Sequence, residues 1–142
     1  MNLKSAKSQF FDRPAVRNAV DKATRKVLSR FGAFVRTTAR SSIRRRKRVS
    51  KPGEAPTSWT GLLKRFVFFS YDAGSRSVVI GPVRLNRTDG EAPRLLEHGG
   101  QATRRDRSGK SRRVEYEPRP YMGPAFEKER QQLPALWRDS VR

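Results

Sequence analysis

Residues Asp12 to Ile43 constrain this chain more than any others, because their apolar positions fit one stripe of a single long helix. Val16, Val20, Ala23, Val27, Phe31, Phe34 and Ala39 recur in steps of three, four and five, the spacing of one helical face. Asp12 is placed to cap the N-terminus, and Pro14 falls in the first turn, where a missing N–H costs nothing. At 1.5 Å per residue such a rod is roughly 45 Å long. No single small sheet covers a stripe of that length, so part of it is expected to meet another subunit.

Beyond this helix the pattern changes period. Phe66 to Tyr71 is aromatic and β-branched and reads as a strand, with Phe66 and Phe68 on one face and Val67, Phe69 and Tyr71 on the other. Both faces are apolar, which predicts cover on both: the long helix on one, a neighbouring subunit on the other. Asp72 to Ser75 forms the turn, and Ser77 to Ile80 returns before Gly81-Pro82. Ser58 to Leu63 is expected to tuck Trp59 and Leu62 under the sheet. Residues 83–92 read as a polar loop. Pro93 to Glu97, closed by Gly99 and Gly100, has the Pro-first, Gly-last order of a short helix. Val114 to Glu117 is a strand with Val114 and Tyr116 inward and both glutamates outward. The last helix begins near Pro124, carries Phe126, Leu133, Leu136 and Trp137, and is split or kinked at Pro134.

The predicted fold is α+β: a small antiparallel β-sheet packed on one long N-terminal helix, with a C-terminal helix. Its 142 residues suggest a single domain, 1–142. Residues 1–11 are expected to form an irregular arm that Phe10 and Phe11 can anchor on the first helix. No apolar run of about eighteen residues crosses a membrane, and residues 1–11 lack the apolar core of a secretory signal.

Charge decides the rest. Lys and Arg outnumber Asp and Glu 33 to 13, a formal net charge of +20. A chain this basic repels itself, so the surplus is useful only beside a polyanion or an acidic protein surface. The cations concentrate in two flexible loops, 44–57 and 101–113. The first holds Arg44, Arg45, Arg46, Lys47, Arg48 and Lys51; the second holds Arg104, Arg105, Arg107, Lys110, Arg112 and Arg113. A solvated face is the usual explanation of one basic run. Two runs of one sign favour contact with a partner or with DNA phosphates.

Catalysis is not expected. His98 beside Glu97 has neither a second histidine nor a cysteine for a metal, and no nucleophile at a useful spacing. Gly99-Gly100 lacks the strand-to-helix setting of a phosphate loop. Glu115 and Glu117 are better placed to pair with arginines than to hydrolyse a bond. No cofactor and no metal are predicted. Trp59 and Trp137 read as core, and Tyr121 and Met122 as either core or interface. An amphipathic helix lying on an anionic membrane is disfavoured, because the valine and alanine stripe is mild.

Three groups of residues carry a resemblance. Lys51-Pro52-Gly53-Glu54-Ala55-Pro56 is followed by Thr60-Gly61-Leu62-Leu63-Lys64-Arg65, then by Leu95-Leu96-Glu97-His98-Gly99-Gly100, then by Arg119-Pro120-Tyr121-Met122-Gly123-Pro124-Ala125. In that order, between a long N-terminal and a C-terminal helix, they resemble the tail-completion or head-to-tail joining proteins of the neck of long-tailed bacteriophages. The resemblance spans about Val16 to Trp137. It departs at His98, where an aromatic or small residue is expected, and at Pro134.

The resemblance implies a non-enzymatic virion protein, present in the host cytoplasm during assembly, that forms a homo-oligomeric ring, a hexamer, at the head-proximal end of the tail. Its partners would be the tail terminator and the head-completion or connector proteins, with transient contact to genomic DNA and no membrane. A fully arginine-lined bore would hold back sliding DNA, so most of the basic residues are expected to face protein. The alternative from another class is a small basic nucleic-acid-binding protein.

Overall fold

The fold was described from a computed structural model, which describes residues 12–83, 91–106, 108–138 and 140. The expectations for the arm 1–11, for most of the loop 83–92 and for Arg107 lie outside the described residues. In chain order come α1 (Arg13–Ser42), α2 (Leu62–Arg65), β1 (Val67–Asp72), β2 (Ser77–Pro82) and α3 (Ala92–His98). They are followed by β3 (Gly100–Arg105), β4 (Ser111–Tyr116), α4 (Met122–Arg130) and α5 (Leu133–Arg138). This is an α+β fold built on one long helix. Among the described residues the strands form two separate antiparallel hairpins, β1–β2 and β3–β4.

Helix α1 starts as its sequence dictates. The Asp12 carboxylate accepts from the Ala15 amide at 3.0 Å, with proline in the first turn. It ends at Ser42, and the extended residue Ile43 turns inward and is wholly buried. Its buried row is Ala23, Val27, Phe31, Val35, Ala39 and Ile43. Val35 thus takes the place expected of Phe34, which is half-buried beneath the Arg30 guanidinium.

A row of pure four-residue steps does not run straight along a helix. Each step advances about 40°, so this row turns through about 200° from end to end. The cover therefore wraps around the rod: β1–β2 and α4 both pack on it. Val16 and Val20, beyond the start of that row, are exposed.

The expected hairpin β1–β2 forms, with Phe69 opposite Ile80 and Tyr71 opposite Val78. Its inner face lies so close to α1 that a Cβ on Gly32 would stand 2.7 Å from Val78 Cγ2 and 2.8 Å from Phe69 Cδ2. Glycine is required here for approach. The outer face is open among the described residues: Phe68 is 45% and Val79 66% exposed. Phe66 and Phe68 meet edge to face there, 6.4 Å between centroids. Arg36 clasps the rim, its Nε donating to the Val67 carbonyl at 2.9 Å and its guanidinium lying over Phe68.

The short turn before β1 differs from expectation. Trp59 is 68% exposed and Leu62 is also exposed, whereas Leu63 enters the core. Gly61, at φ 75°, starts α2 in a left-handed conformation, and within α2 it is Leu63 that is buried. Trp137 likewise stands more than one-third exposed on α5 instead of filling the core. Pro134 does divide the C-terminal helix, leaving α4 and α5 separated at Gln131-Gln132.

Tyr121, Ala125 and Leu63 close the core against the C-terminal half of α1. Phe126 meets Phe31 edge to face at 5.7 Å, and buried Glu129 accepts from the Thr38 hydroxyl at 2.6 Å. Met122 is half-buried against the same cluster, so this corner is core.

Candidate cationic interface

The first basic segment begins where α1 stops. Cations at a helix C-terminus suit its dipole, but continuing the helix would stack like charges at four-residue spacing. The Ser41 and Ser42 hydroxyls donate to the Thr38 and Ala39 carbonyls and satisfy part of the last turn. Expected as a loose loop, segment 44–57 is tied down by its backbone. Arg44 bridges to Thr57, and the Ser58 amide donates to the Arg44 carbonyl at 3.0 Å. The Thr57 hydroxyl donates to the Arg48 carbonyl at 2.8 Å. Pro56 is fully buried and Ala55 packs against the core. The charge run concealed these anchors, which are backbone atoms and small residues.

The side chains nevertheless remain out. Arg44, Arg45, Arg46, Lys47, Arg48 and Lys51 are all exposed. Lys47 lies 5.6 Å over the Trp59 ring, and Arg45 Nε donates to the Trp59 carbonyl. The tryptophan expected in the core thus stands among cations, which folding and not sequence spacing brings to it.

The second segment is a ribbon. Pairs Gly100–Tyr116, Ala102–Val114 and Arg104–Arg112 share one face. That face is apolar at its base and cationic at its tip. Val114 and Tyr116 are half-buried and Glu115 and Glu117 exposed, as expected. Arg104 directly opposite Arg112 is a destabilising cross-strand pair.

The acid nearest the tip is used in the turn. Asp106 accepts from the Ser108 hydroxyl at 2.6 Å and from the Ser108 and Lys110 amides. Chiefly the Ser108 hydroxyl bond holds its carboxyl below the ordinary aspartate value. Among the described residues the ion pairs are Arg76–Asp21, Arg94–Glu91 and Arg130–Glu127. None involves either basic segment, so the expected pairing of Glu115 and Glu117 with arginines is not formed there.

One junction fastens both segments. The Pro118 carbonyl accepts from the Gly53 amide at 2.9 Å, and Arg119 Nε donates to the Ser50 carbonyl at 3.0 Å. The Arg119 amide donates to the Leu96 carbonyl. The root of the ribbon therefore abuts the far end of the first basic segment.

Glu97 holds the adjoining corner, a role its sequence context hid. Its carboxylate accepts from the amides of Tyr121, Met122 and Gly123 at 2.9, 3.0 and 2.7 Å. That neutralises the open N–H groups at the start of α4. Both oxygens are thereby engaged, and His98 is exposed, so the two do not form an acid–base pair. Burial, then the charge of Glu97, raises the Tyr121 hydroxyl above its ordinary value. No group of three His, Asp or Glu able to hold a metal occurs among the described residues. Nor is any helix among them long and apolar enough to cross a membrane.

Compared with known proteins, the chain matches no family model, no curated protein and no solved structure.

Proposed function

We propose that this chain is a structural subunit of the phage neck, a ring-forming tail-completion protein that joins the tail to the head connector around the DNA channel. The observation that carries this reading is the uncompensated charge. Two cationic segments rooted at one junction have no ion pair within the chain among the described residues. A surface of that kind is stable in close packing only against acidic neighbours or the genome, since like charges at contact repel by about 1 kcal/mol per pair even in water.

Two further features support it. The open apolar face around Phe68 and Val79 suits association between subunits. The segments that carry the family resemblance also build a single structural unit: Ala55, Leu63, Leu96, Tyr121 and Ala125 all belong to the one core cluster.

Reversal of charge at Arg44, Arg45 and Arg46 tests the reading. All three side chains are exposed, so the fold tolerates the change. Joining of heads to tails should be abolished while isolated tails stay intact. Normal yields of infectious particles would overturn the proposal.

The exposed Trp59 beneath Lys47 favours a second reading, a small nucleic-acid-binding protein, because an aromatic among cations can stack bases. On that reading affinity for DNA falls on the order of 10³-fold between about 50 and 200 mM salt. The chain would also be a monomer that changes mass only when DNA is added. A ring formed without nucleic acid decides for the neck.

A further inference from the structure

The run from Arg44 to Arg48 has two sides with different surroundings. Arg45 and Lys47 turn toward Trp59. Arg44, Arg46 and Arg48 instead line a concave groove of about 700 Å³, joined by Lys51, between the end of α1 and the segment leading to Thr57. The carboxylate in this lining, Glu54, accepts from the Lys51 amide at 3.3 Å and forms no ion pair with the arginines among the described residues. The hydroxyls of Ser41, Ser42 and Thr57 donate to backbone carbonyls, whereas Ser50 Oγ is buried without a partner. Four cations, Arg44, Arg46, Arg48 and Lys51, thus line one shaped recess beside the carboxylate of Glu54.

We propose that this groove seats an extended acidic segment of a partner protein, with carboxylates at alternate positions held by Arg44, Arg46 and Arg48. The identity of that partner as a neighbouring neck protein rests on the function proposed above; the groove's chemistry does not. A guanidinium presents paired N–H donors that match a carboxylate two to two. Alternate residues of an extended peptide fall on one side, recurring about every 7 Å, so one strand can present several carboxylates to this cationic lining. Val49 and Ala55 supply apolar wall for the intervening side chains.

Nucleic acid fits the recess less well. Among the described residues no aromatic side chain lines it, so the bases of a single strand find nothing there to stack on. Trp59, the nearby stacking surface, belongs to the opposite side of the run.

The test uses the full chain and a fluorescent synthetic peptide of alternating Glu and Ala, followed by anisotropy at physiological salt. Oligothymidylate of equal charge serves as competitor. Two double variants remove the same charge from opposite sides: Arg46→Gln with Arg48→Gln, and Arg45→Gln with Lys47→Gln. The first pair should weaken peptide binding by about thirtyfold, the second by less than about threefold. Equal losses from both pairs, no binding by the wild type, or displacement of the peptide by oligothymidylate through the same arginines would each overturn the inference. Native mass measurement on the same samples separates this outcome from the neck reading. A ring that ignores the peptide refutes the groove alone, and a monomer that binds it refutes the neck alone.

Discussion

Hairpins β1–β2 and β3–β4 each join two six-residue strands through a turn held by an aspartate. Yet β1–β2 lies with its inner face on α1, while β3–β4 has the short helix α3 as its chief support. The first fills its inner face with Phe69, Tyr71, Val78 and Ile80. The second has only Ala102, Val114 and Tyr116 before its face becomes arginine. An isolated two-stranded hairpin is marginal in water, so equal ladders do not mean equal stability. Cover makes one a wall of the fold, and its scarcity among the described residues leaves the other an appendage.

The largest expected effect comes from breaking the seam under the first hairpin. Gly32→Val places methyl groups where Val78 and Phe69 already stand within 2.8 Å of a Cβ. The helix and hairpin must separate, which should cost about 3 kcal/mol in urea denaturation. Ala102→Leu is the matching insertion on the second hairpin. It enters the open cleft of about 710 Å³ between α3 and the ribbon and should cost within about 0.5 kcal/mol. Similar losses from the two substitutions would erase the distinction between a packed and an unpacked hairpin.

The same contrast explains what could be read from the sequence. Periodicity found α1 to within a residue at each end, because Asp12 caps it and Ile43 ends it. The paired strands around Asp72 and the split at Pro134 were equally legible, since turn and proline chemistry are local. Of the tertiary contacts, the packing of this hairpin on α1 was legible, but its residue-level fit was not. Glycine at position 32 reads as a mild helix defect until Phe69 is placed against it. The exchange of Leu62 for Leu63, and of Phe34 for Val35, depends on which side of a winding stripe meets a neighbour.

Of the candidate interface, the cations were legible one by one, but their grouping was not. Arg119 ties the ribbon's root to Ser50 across a separation no spacing rule covers. Glu97 beside His98 suggests chemistry in sequence, yet the corner it caps is brought to it only by folding.

A smaller effect sharpens the account of the ribbon. Arg104→Glu turns a repulsive pair with Arg112 into an attractive one, worth up to about 1 kcal/mol locally. Amide exchange across β3–β4 should slow by about fivefold, with β1–β2 unchanged. Unchanged exchange in the ribbon would mean its charges are already compensated, and the argument from unpaired arginines would lose its footing there.

The smallest effect separates the turns by acid. Asp72 and Asp106 both sit below the ordinary aspartate value of 3.8, each chiefly through a serine hydroxyl, Ser75 and Ser108. A carboxyl lowered in the folded state binds its proton less readily there than in the unfolded chain. Its contribution is therefore complete above the ordinary value and is lost as pH falls through the lowered one. Both turns should loosen in that acidic window, but with different consequences. Around Asp72 the strands are still held by α1, so amide exchange in β1–β2 should barely respond. Around Asp106 the turn helps to close a ribbon of opposed arginines, so β3–β4 should fray first. Asp106→Asn should reproduce that fraying at neutral pH and remove its acid dependence, while Asp72→Asn leaves the first hairpin closed. Equal fraying of the two hairpins would show that α1 does not brace the first one as the packing around Gly32 requires.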